Sequence, residues 1–493
     1  MRAAGVLLPI ASLPSPYGIG SFSKEAYHFA DQLKAAGQTY WQILPLGPTG
    51  YGDSPYQSFS TFAGNSYYID LTKLIEKGLL TKEECEVVDF GKDAHCIDYA
   101  KIYGGREGLL RKAYERCDIS GNEGFARFKK KENDWLDDYA FYTAIKQKFG
   151  GKSWLTWEEG VRLRKPMEMA HLRMNLLEDI EFHKYVQFLF YEQWSELKAY
   201  VNKLGIKIIG DLPIYVAMDS ADTWANTELF QFNDNKRPTA QAGVPPDGFS
   251  KTGQLWGNPL YDWERLKETG YVWWKRRMAH QGKLVDVLRI DHFRGLDSYY
   301  EVGIEEETAE NGKWVKGPGL SFFHALADEL KNLDIIAEDL GYLTESVRTL
   351  LKDTGFPGMK VLQFAFDSRE ASDYLPHTYE KNCIVYTGTH DNDTTRSWFD
   401  TINTRDKEYA LEYLGMHQLK GEDKAWAFIR LAMSSVANLC VIPMGDYLAC
   451  GGEARINTPS TLGGNWQWRM DKTEITKDII KKMKRMAELY SRI

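Results

Sequence analysis

The chain has 493 residues, enough for one large domain or two or three ordinary ones. With 43% hydrophobic and 26% charged residues, it can bury a core without disulfides or a structural metal. A formal net charge of −8 with no long basic run argues against nucleic acid or an anionic membrane as partner. Cys85, Cys96, Cys117, Cys383, Cys440 and Cys450 have neither CxxC nor zinc-like spacing. No apolar stretch is long enough to span a bilayer, and the amino terminus lacks a signal-peptide pattern, so a cytoplasmic protein with reduced thiols is expected.

Along the chain, short apolar runs alternate with helical patterns. The runs are residues 5–9, 39–46, 206–213, 287–292, 335–340, 359–366, 383–391 and 439–448. They are apolar on both alternating faces, as strands of a parallel sheet covered on both sides are. Residues 22–37 read as a helix entered after Ser21 and stopped at Gly37, and 178–204 as a long one stopped by Gly205. Residues 320–333, 344–352, 424–439 and 472–492 are helical in pattern too. Eight strands alternating with helices predict a (β/α)8 TIM barrel, although an open doubly wound sheet has the same alternation.

Two intervals are too long for plain barrel loops. Residues 47–175 are charged and helical in pattern, with helix-like stretches at 107–117 and 135–149. Residues 215–283 are richer in Gly, Pro, Trp and Asn. Both read as insertions that build subdomains over the carboxyl-terminal face of one catalytic domain. No repeat, low-complexity tract or linker divides the chain.

In a barrel, catalytic groups stand at the carboxyl ends of strands. The third run ends in Gly210-Asp211-Leu212-Pro213, the fourth holds Arg289-Ile290-Asp291-His292, and the fifth holds Ala337-Glu338-Asp339-Leu340-Gly341. The seventh leads to Gly388-Thr389-His390-Asp391-Asn392. A single carboxylate after a strand is as readily the N-cap of the next helix. Four together point to chemistry. Cleavage of a glycosidic bond needs one carboxylate to attack the anomeric carbon and one carboxylic acid to protonate the leaving oxygen. A third acidic group stabilises the cationic transition state. A divalent-metal site is the rival reading, and Arg289, His292 and His390 count against it, because cations beside a metal cage are costly. Aromatic residues make up 13% of the chain, 15 of them Trp; most serve as packing, and a few are expected to stack on sugar rings.

The segments Arg289-Ile290-Asp291-His292-Phe293-Arg294-Gly295, Ala337-Glu338-Asp339-Leu340-Gly341 and Tyr386-Thr387-Gly388-Thr389-His390-Asp391-Asn392 resemble the amylomaltase, or disproportionating enzyme, family. This is glycoside hydrolase family 77 of the α-amylase clan. Ser54-Pro55-Tyr56 looks like the family's early sugar-binding segment, and Gly210-Asp211-Leu212-Pro213-Ile214-Tyr215-Val216 matches the clan's third-strand motif. Pro245-Pro246-Asp247-Gly248-Phe249-Ser250 with Gly253-Gln254-Leu255-Trp256-Gly257-Asn258-Pro259 resembles the flexible loop on the acceptor side. The matches run from near residue 9 to near residue 469.

The resemblance implies a 4-α-glucanotransferase without cofactor or metal and without a separate carboxyl-terminal β domain. Its partners would be maltooligosaccharides and α-1,4-glucans as donor and acceptor, with glucose also an acceptor. It implies Asp291 as nucleophile, Glu338 as general acid/base and Asp391 as transition-state stabiliser. Arg289 would hold Asp291, while Asp211, His292 and His390 would bond the donor glucosyl unit. Tyr56 and Trp256 would stack on glucose rings, and Asn258 and Asn457 would line the groove. Ser460 stands where the family pattern after Pro459 leads one to expect Gly. Asp367, after the sixth run, is a weaker candidate for an outer subsite. A hydrolase of the α-amylase type would use the same triad, and a silent glucan-binding barrel would have no need of it. Trp256, between Gly253 and Gly257, is expected on a mobile loop that orders on sugar binding.

Overall fold

The computed structural model describes residues 2–246, 250–341 and 343–493. Each of the eight predicted runs overlaps a strand. We number them β1 (Ala3–Leu7), β2 (Tyr40–Gln42), β3 (Lys207–Pro213), β4 (Val287–Asp291), β5 (Asp334–Ala337), β6 (Gly358–Val361), β7 (Cys383–Tyr386) and β8 (Leu439–Pro443). Every ladder between them is parallel, in the order β6-β7-β8-β1-β2-β3-β4-β5. The sheet curls until its last strand meets its first, where Ala337 N donates to Pro357 O at 3.0 Å. The barrel expected from the alternation is therefore the fold, and the open doubly wound sheet is not.

Alternation along each strand gives two apolar layers. Leu7, Ile209, Val287, Ile336, Ile384 and Val441 belong to one cluster that fills the barrel interior. Their chain neighbours Val6, Ile208, Leu288, Ile335, Val385 and Cys440 belong to the larger core beneath the helices. This double burial is why the strands read as continuous apolar runs. Several runs outlast their strands. The run at 359–366 leaves the ladder at Val361 and becomes a 3-10 turn, Leu362–Phe364. Beyond Val361 the run's Leu362, Ala365 and Phe366 are still buried, Phe366 against Trp398, Tyr409, Tyr413 and Phe428, whereas Phe364 is exposed; periodicity alone does not distinguish such a turn from strand.

The helices Lys24–Ala35 and Leu177–Lys203 end before Gly37 and Gly205, both left-handed with φ of +68° and +80°. Between β2 and Leu177–Lys203 lie helices that include Tyr99–Arg116 and Asn133–Lys148. The interval at 215–283 holds more regular structure than its composition indicates. Its strands Ala240–Val244 and Gln254–Pro259 join Ser298–Gly303 and Lys313–Lys316 in a four-stranded antiparallel sheet. The register shifts between Gln241 and Gly243, and Gly257 in the paired strand has φ +70°. Such irregularity hides a strand from an alternation test.

The amino end of the barrel is closed by two arginines. Arg492 is fully buried and donates to the carbonyls of Met433 (2.8 Å), Ala3 (3.0 Å), Ala437 (3.0 Å) and Ser435 (3.1 Å). Arg2 shares two of these acceptors, Ser435 O at 2.6 Å and Met433 O at 3.0 Å. No helix among the described residues is long and apolar enough to cross a membrane.

Candidate active site

The carboxyl ends of β3, β4 and β5 and the loop after β7 bring the predicted acidic residues together. Asp211 and Arg289 are register partners on β3 and β4, so the guanidinium and the carboxylate start side by side. Arg289 Nη1 lies 2.7 Å from both Asp211 oxygens and 2.9 Å from Asp291 Oδ1. Its Nε donates to the thioether of Met359 at 3.3 Å. Arg289 and Asp211 are each 4% exposed. Burial works against the Arg289 charge, but the Asp211 and Asp291 carboxylates outweigh it and hold the pKa above the usual value.

Asp291 and Glu338 face each other across the β4–β5 seam. Glu338 Oε2 accepts from the backbone N–H of His292, the residue after Asp291, at 2.7 Å, and Oε1 accepts from Leu340 N at 2.8 Å. Burial pushes the Asp291 carboxyl up to about 7, with Arg289 opposing and Asp211 and Glu338 assisting. Burial also raises Glu338, against the Arg289 charge and the two N–H bonds. The cation touches only Asp291 of the two, so a single proton held by the pair resides on Glu338.

Asp339, beside Glu338, faces the other way, as strand alternation requires. It is buried and accepts from Met359 N at 2.7 Å. A Cβ on Gly358 would strike its Oδ2, so the start of β6 needs glycine there. Asp391 Oδ1 accepts from Asn457 Nδ2 at 2.6 Å and lies 3.4 Å from His390 Nε2. Its other oxygen has no such partner among the described contacts, and the side chain is 46% exposed to the cleft.

Aromatic and polar walls surround the carboxyls. Tyr56 donates to Asp211 Oδ2 at 2.8 Å and stacks on the His390 ring at 5.0 Å and 19°. Trp256 meets the His292 ring edge-on at 4.8 Å. Burial, then the Arg294 cation, lower the pKa of His292 to about 3, so its ring is neutral at pH 7. His292 has φ +54°, a left-handed turn that swings its ring out of the strand.

Two expectations change. Trp256 belongs to the strand Gln254–Pro259 rather than to a loop, because Gly253 and Gly257 serve a turn and a bulge in the antiparallel sheet. Residues 247–249 of the motif that begins at Pro245 lie outside the described residues. Asn258 spends its amide on protein: Nδ2 donates to Val216 O at 2.8 Å and Oδ1 accepts from Gln57 Nε2 at 3.1 Å. Asp367 is engaged by Arg369 at 2.6 Å. Ser460, where glycine was expected, has φ +63°, the conformation that favours glycine.

Several neighbours were not anticipated. Trp466 lies 5.9 Å from Tyr56 and 6.0 Å from His390, at φ +63° after Gly463-Gly464. Tyr215 lies 6.4 Å from both Trp256 and His292. Arg455 Nη2 donates to Asp391 O at 3.1 Å. An aromatic after a glycine pair was the only available signal for Trp466; Met359 and Arg455 carry none. No group of three or more His, Cys, Asp or Glu among the described residues is arranged to hold a metal ion.

Chemically, this is a cleft with an ion-paired carboxylate, a second carboxyl with a raised pKa beside it and a third on the facing loop, walled by aromatic rings. A family model described as 4-alpha-glucanotransferase matches residues 8–475. The chain is 49% identical over 485 residues to a 4-alpha-glucanotransferase of Clostridium butyricum, covering 98% of this chain and 99% of that protein. It is 47% identical over 495 residues to one of Streptococcus pneumoniae, covering 100% and 98%. Its fold matches an amylomaltase of Streptococcus agalactiae solved in complex with acarbose, with a TM-score of 0.97 and 41% identity over the whole of both chains. A match of this length takes in all four strand ends that carry Asp211, Asp291, Glu338 and Asp391, and the chain belongs to the 4-alpha-glucanotransferase family, glycoside hydrolase family 77.

Proposed function

We propose that the protein transfers a segment of an α-1,4-glucan to the 4-hydroxyl of glucose or another glucan by a retaining double displacement. The observation that carries this reading is the pairing at the β4–β5 seam: Asp291 held by Arg289 and, one backbone N–H away, Glu338. In the first step Asp291 attacks the anomeric carbon while Glu338 gives its proton to the departing glycosidic oxygen. In the second, the same Glu338 takes the proton of the acceptor hydroxyl, which displaces Asp291 and restores the resting enzyme. Asp391 offers its cleft-facing oxygen to the sugar hydroxyls as positive charge develops on the ring. Tyr56 and Trp256 give the rings an apolar face, and His292 and His390 bond the donor glucosyl unit; Asp211, expected among these, has a fully buried side chain spent on Arg289 and Tyr56 and holds those two in place instead. Asn457 holds Asp391 in place, and Asn258 holds the strand of Trp256.

Maltooligosaccharides are the natural partners of such a cleft, and the relatives' shared name supports that choice. All six cysteines are free, which supports a reducing, cytoplasmic location as part of this proposal. Maltotriose alone in buffer tests the activity. Glucose plus a ladder of longer maltodextrins is the expected outcome. Short sugars only would mean hydrolysis, and no change would mean a binding protein.

Two further outcomes follow from the site. The Asp291–Glu338 pair is active with one proton, so kcat/KM should be bell-shaped in pH, its limbs belonging to the pair. Protonation of Asp291 sets the acidic limb. Burial holds that carboxyl above its ordinary 3.8 although Arg289 opposes it, so activity should begin to fall above pH 3.8 as the pH drops. A limb near 4 would mean that Arg289 outweighs burial entirely. The second outcome concerns Trp256, which stands against His292 as a wall of the cleft. Trp256→Ala should weaken binding of long glucans and raise the share of hydrolysis, because water then reaches the glycosyl-enzyme. An unchanged ratio of glucose released to glucan transferred would refute the shielding role.

A further inference from the structure

The loop after β7 runs from Thr387 to the helix Thr395–Thr401 and carries His390 and Asp391. A loop places a functional side chain only as well as its two ends are held. Here both ends meet one residue. Asp446, in the helical turn Met444–Tyr447 after β8, accepts from Thr387 Oγ1 at 2.5 Å, from Thr395 N at 2.7 Å and from Thr395 Oγ1 at 2.6 Å. Thr387 and Thr395 are 0% exposed and Asp446 is 2% exposed. Burial raises the Asp446 carboxyl, and the hydrogen bonds from Thr387 and Thr395 oppose that rise. A buried carboxylate is costly, and these bonds offset the cost. The residue type fits the task. A carboxylate accepts at both oxygens, whereas an amide would turn an N–H donor toward one of these groups.

The same β8 segment reaches the middle of the loop as well. Asn457 Nδ2 donates to Asp391 Oδ1 at 2.6 Å, Asn457 N donates to His390 O at 3.1 Å, and Arg455 Nη2 donates to Asp391 O at 3.1 Å. Inside the loop, Asn392 Oδ1 accepts from Thr389 N at 2.8 Å and from Thr389 Oγ1 at 2.9 Å. From the 3-10 turn after β6, Gln363 Nε2 donates to Asp393 O at 2.9 Å.

We propose that Asp446 is a positioning residue for the reaction: by fixing both ends of the 387–395 loop it sets where Asp391 stands against the glucosyl ring, without touching the sugar. This rests on the role given to Asp391 above, and the test separates the two. A double-mutant cycle combines Asp391→Asn with Asp446→Ala, with kcat and KM measured on α-maltosyl fluoride so that slow variants remain readable. Asp391→Asn alone should lower kcat by at least about 10²-fold. If it leaves the rate intact, the Asp391 role falls. Asp446→Ala alone should lower kcat by about 10–100-fold, the scale of a misplacement near 1 Å, with KM within about threefold of wild type. In the Asp391→Asn background the same change should cost less than about threefold, because a displaced stabiliser has nothing left to lose. Equal losses in both backgrounds, or a loss carried by KM, would overturn the inference while leaving the Asp391 role in place. Asp446→Asn keeps one acceptor oxygen and should fall between wild type and Ala. If Asp446→Ala does not fold, Thr387→Val enters the same cycle, with an expected loss of about fivefold that vanishes beside Asp391→Asn. A loss that persists there would equally overturn the proposal.

Discussion

Glu338→Gln should reduce disproportionation of maltotriose by about 10³-fold, while the first step on α-maltosyl fluoride stays within about tenfold of wild type. Fluoride leaves without a proton, so the missing acid matters little for that donor. The second step still needs a base to take the acceptor proton, and none remains. The covalent sugar should therefore accumulate on Asp291, where mass spectrometry of a peptic digest would find it. Both Glu338 oxygens accept backbone N–H bonds, from His292 and from Leu340, and an amide can satisfy only one of them. Part of the loss on maltotriose is thus positional. The fluoride donor measures that part separately, because misplacement slows both donors and loss of the acid slows only one. An adduct on Glu338 or Asp391 in the wild type, or none under trapping conditions, would overturn the division of roles.

The largest effect on stability is expected at the opposite end of the barrel. Arg492→Met removes a fully buried guanidinium whose four acceptors are backbone carbonyls. Arg2 still reaches the carbonyls of Met433 and Ser435, and Ala3 keeps its place in the β1–β8 ladder, so the deficit falls on the carbonyl of Ala437. A buried acceptor left without a donor costs about 1–3 kcal/mol, and that is the expected loss. The urea midpoint should drop clearly, while kcat on maltotriose at 25 °C should stay near wild type, because the catalytic face lies at the other end of the strands. An unchanged midpoint would mean that Arg2 and water take over the freed carbonyls.

Those two predictions draw on features of unequal legibility. Asp211, Asp291, Glu338 and Asp391 could be found from the sequence because a carboxylate at the end of an apolar run breaks the run, and Arg289 because it interrupts one. That Asp339 turns away from Glu338 follows from strand alternation, whereas its bond to Met359 N on β6 does not. Arg492 could not be found this way: its partners are carbonyls, which every residue possesses. Asp446 was equally hidden, since Thr387 and Thr395 are ordinary residues until the loop brings them to it. Trp256 was read as part of a loop because the two glycines beside it outweighed the strand pattern of a sheet whose other strands come from before and after β4. Long sequence separations also concealed the stacking of Tyr56 on His390 and the approach of Trp466.

The sharing of Arg289 between Asp211 and Asp291 has a consequence for which sugars can enter. One guanidinium faces two carboxylates, and Asp391 adds a third across the cleft. Even with Glu338 protonated, the formal charges of Arg289, Asp211, Asp291 and Asp391 sum to a negative value. A neutral glucosyl ring crosses that field without cost and is favoured as it becomes cationic. A hexose bearing a phosphate group is opposed from the moment it approaches, in a cleft whose buried walls screen little of the repulsion. The same arrangement that prepares the nucleophile thus sorts uncharged glucans from phosphorylated sugars, with no residue devoted to the task.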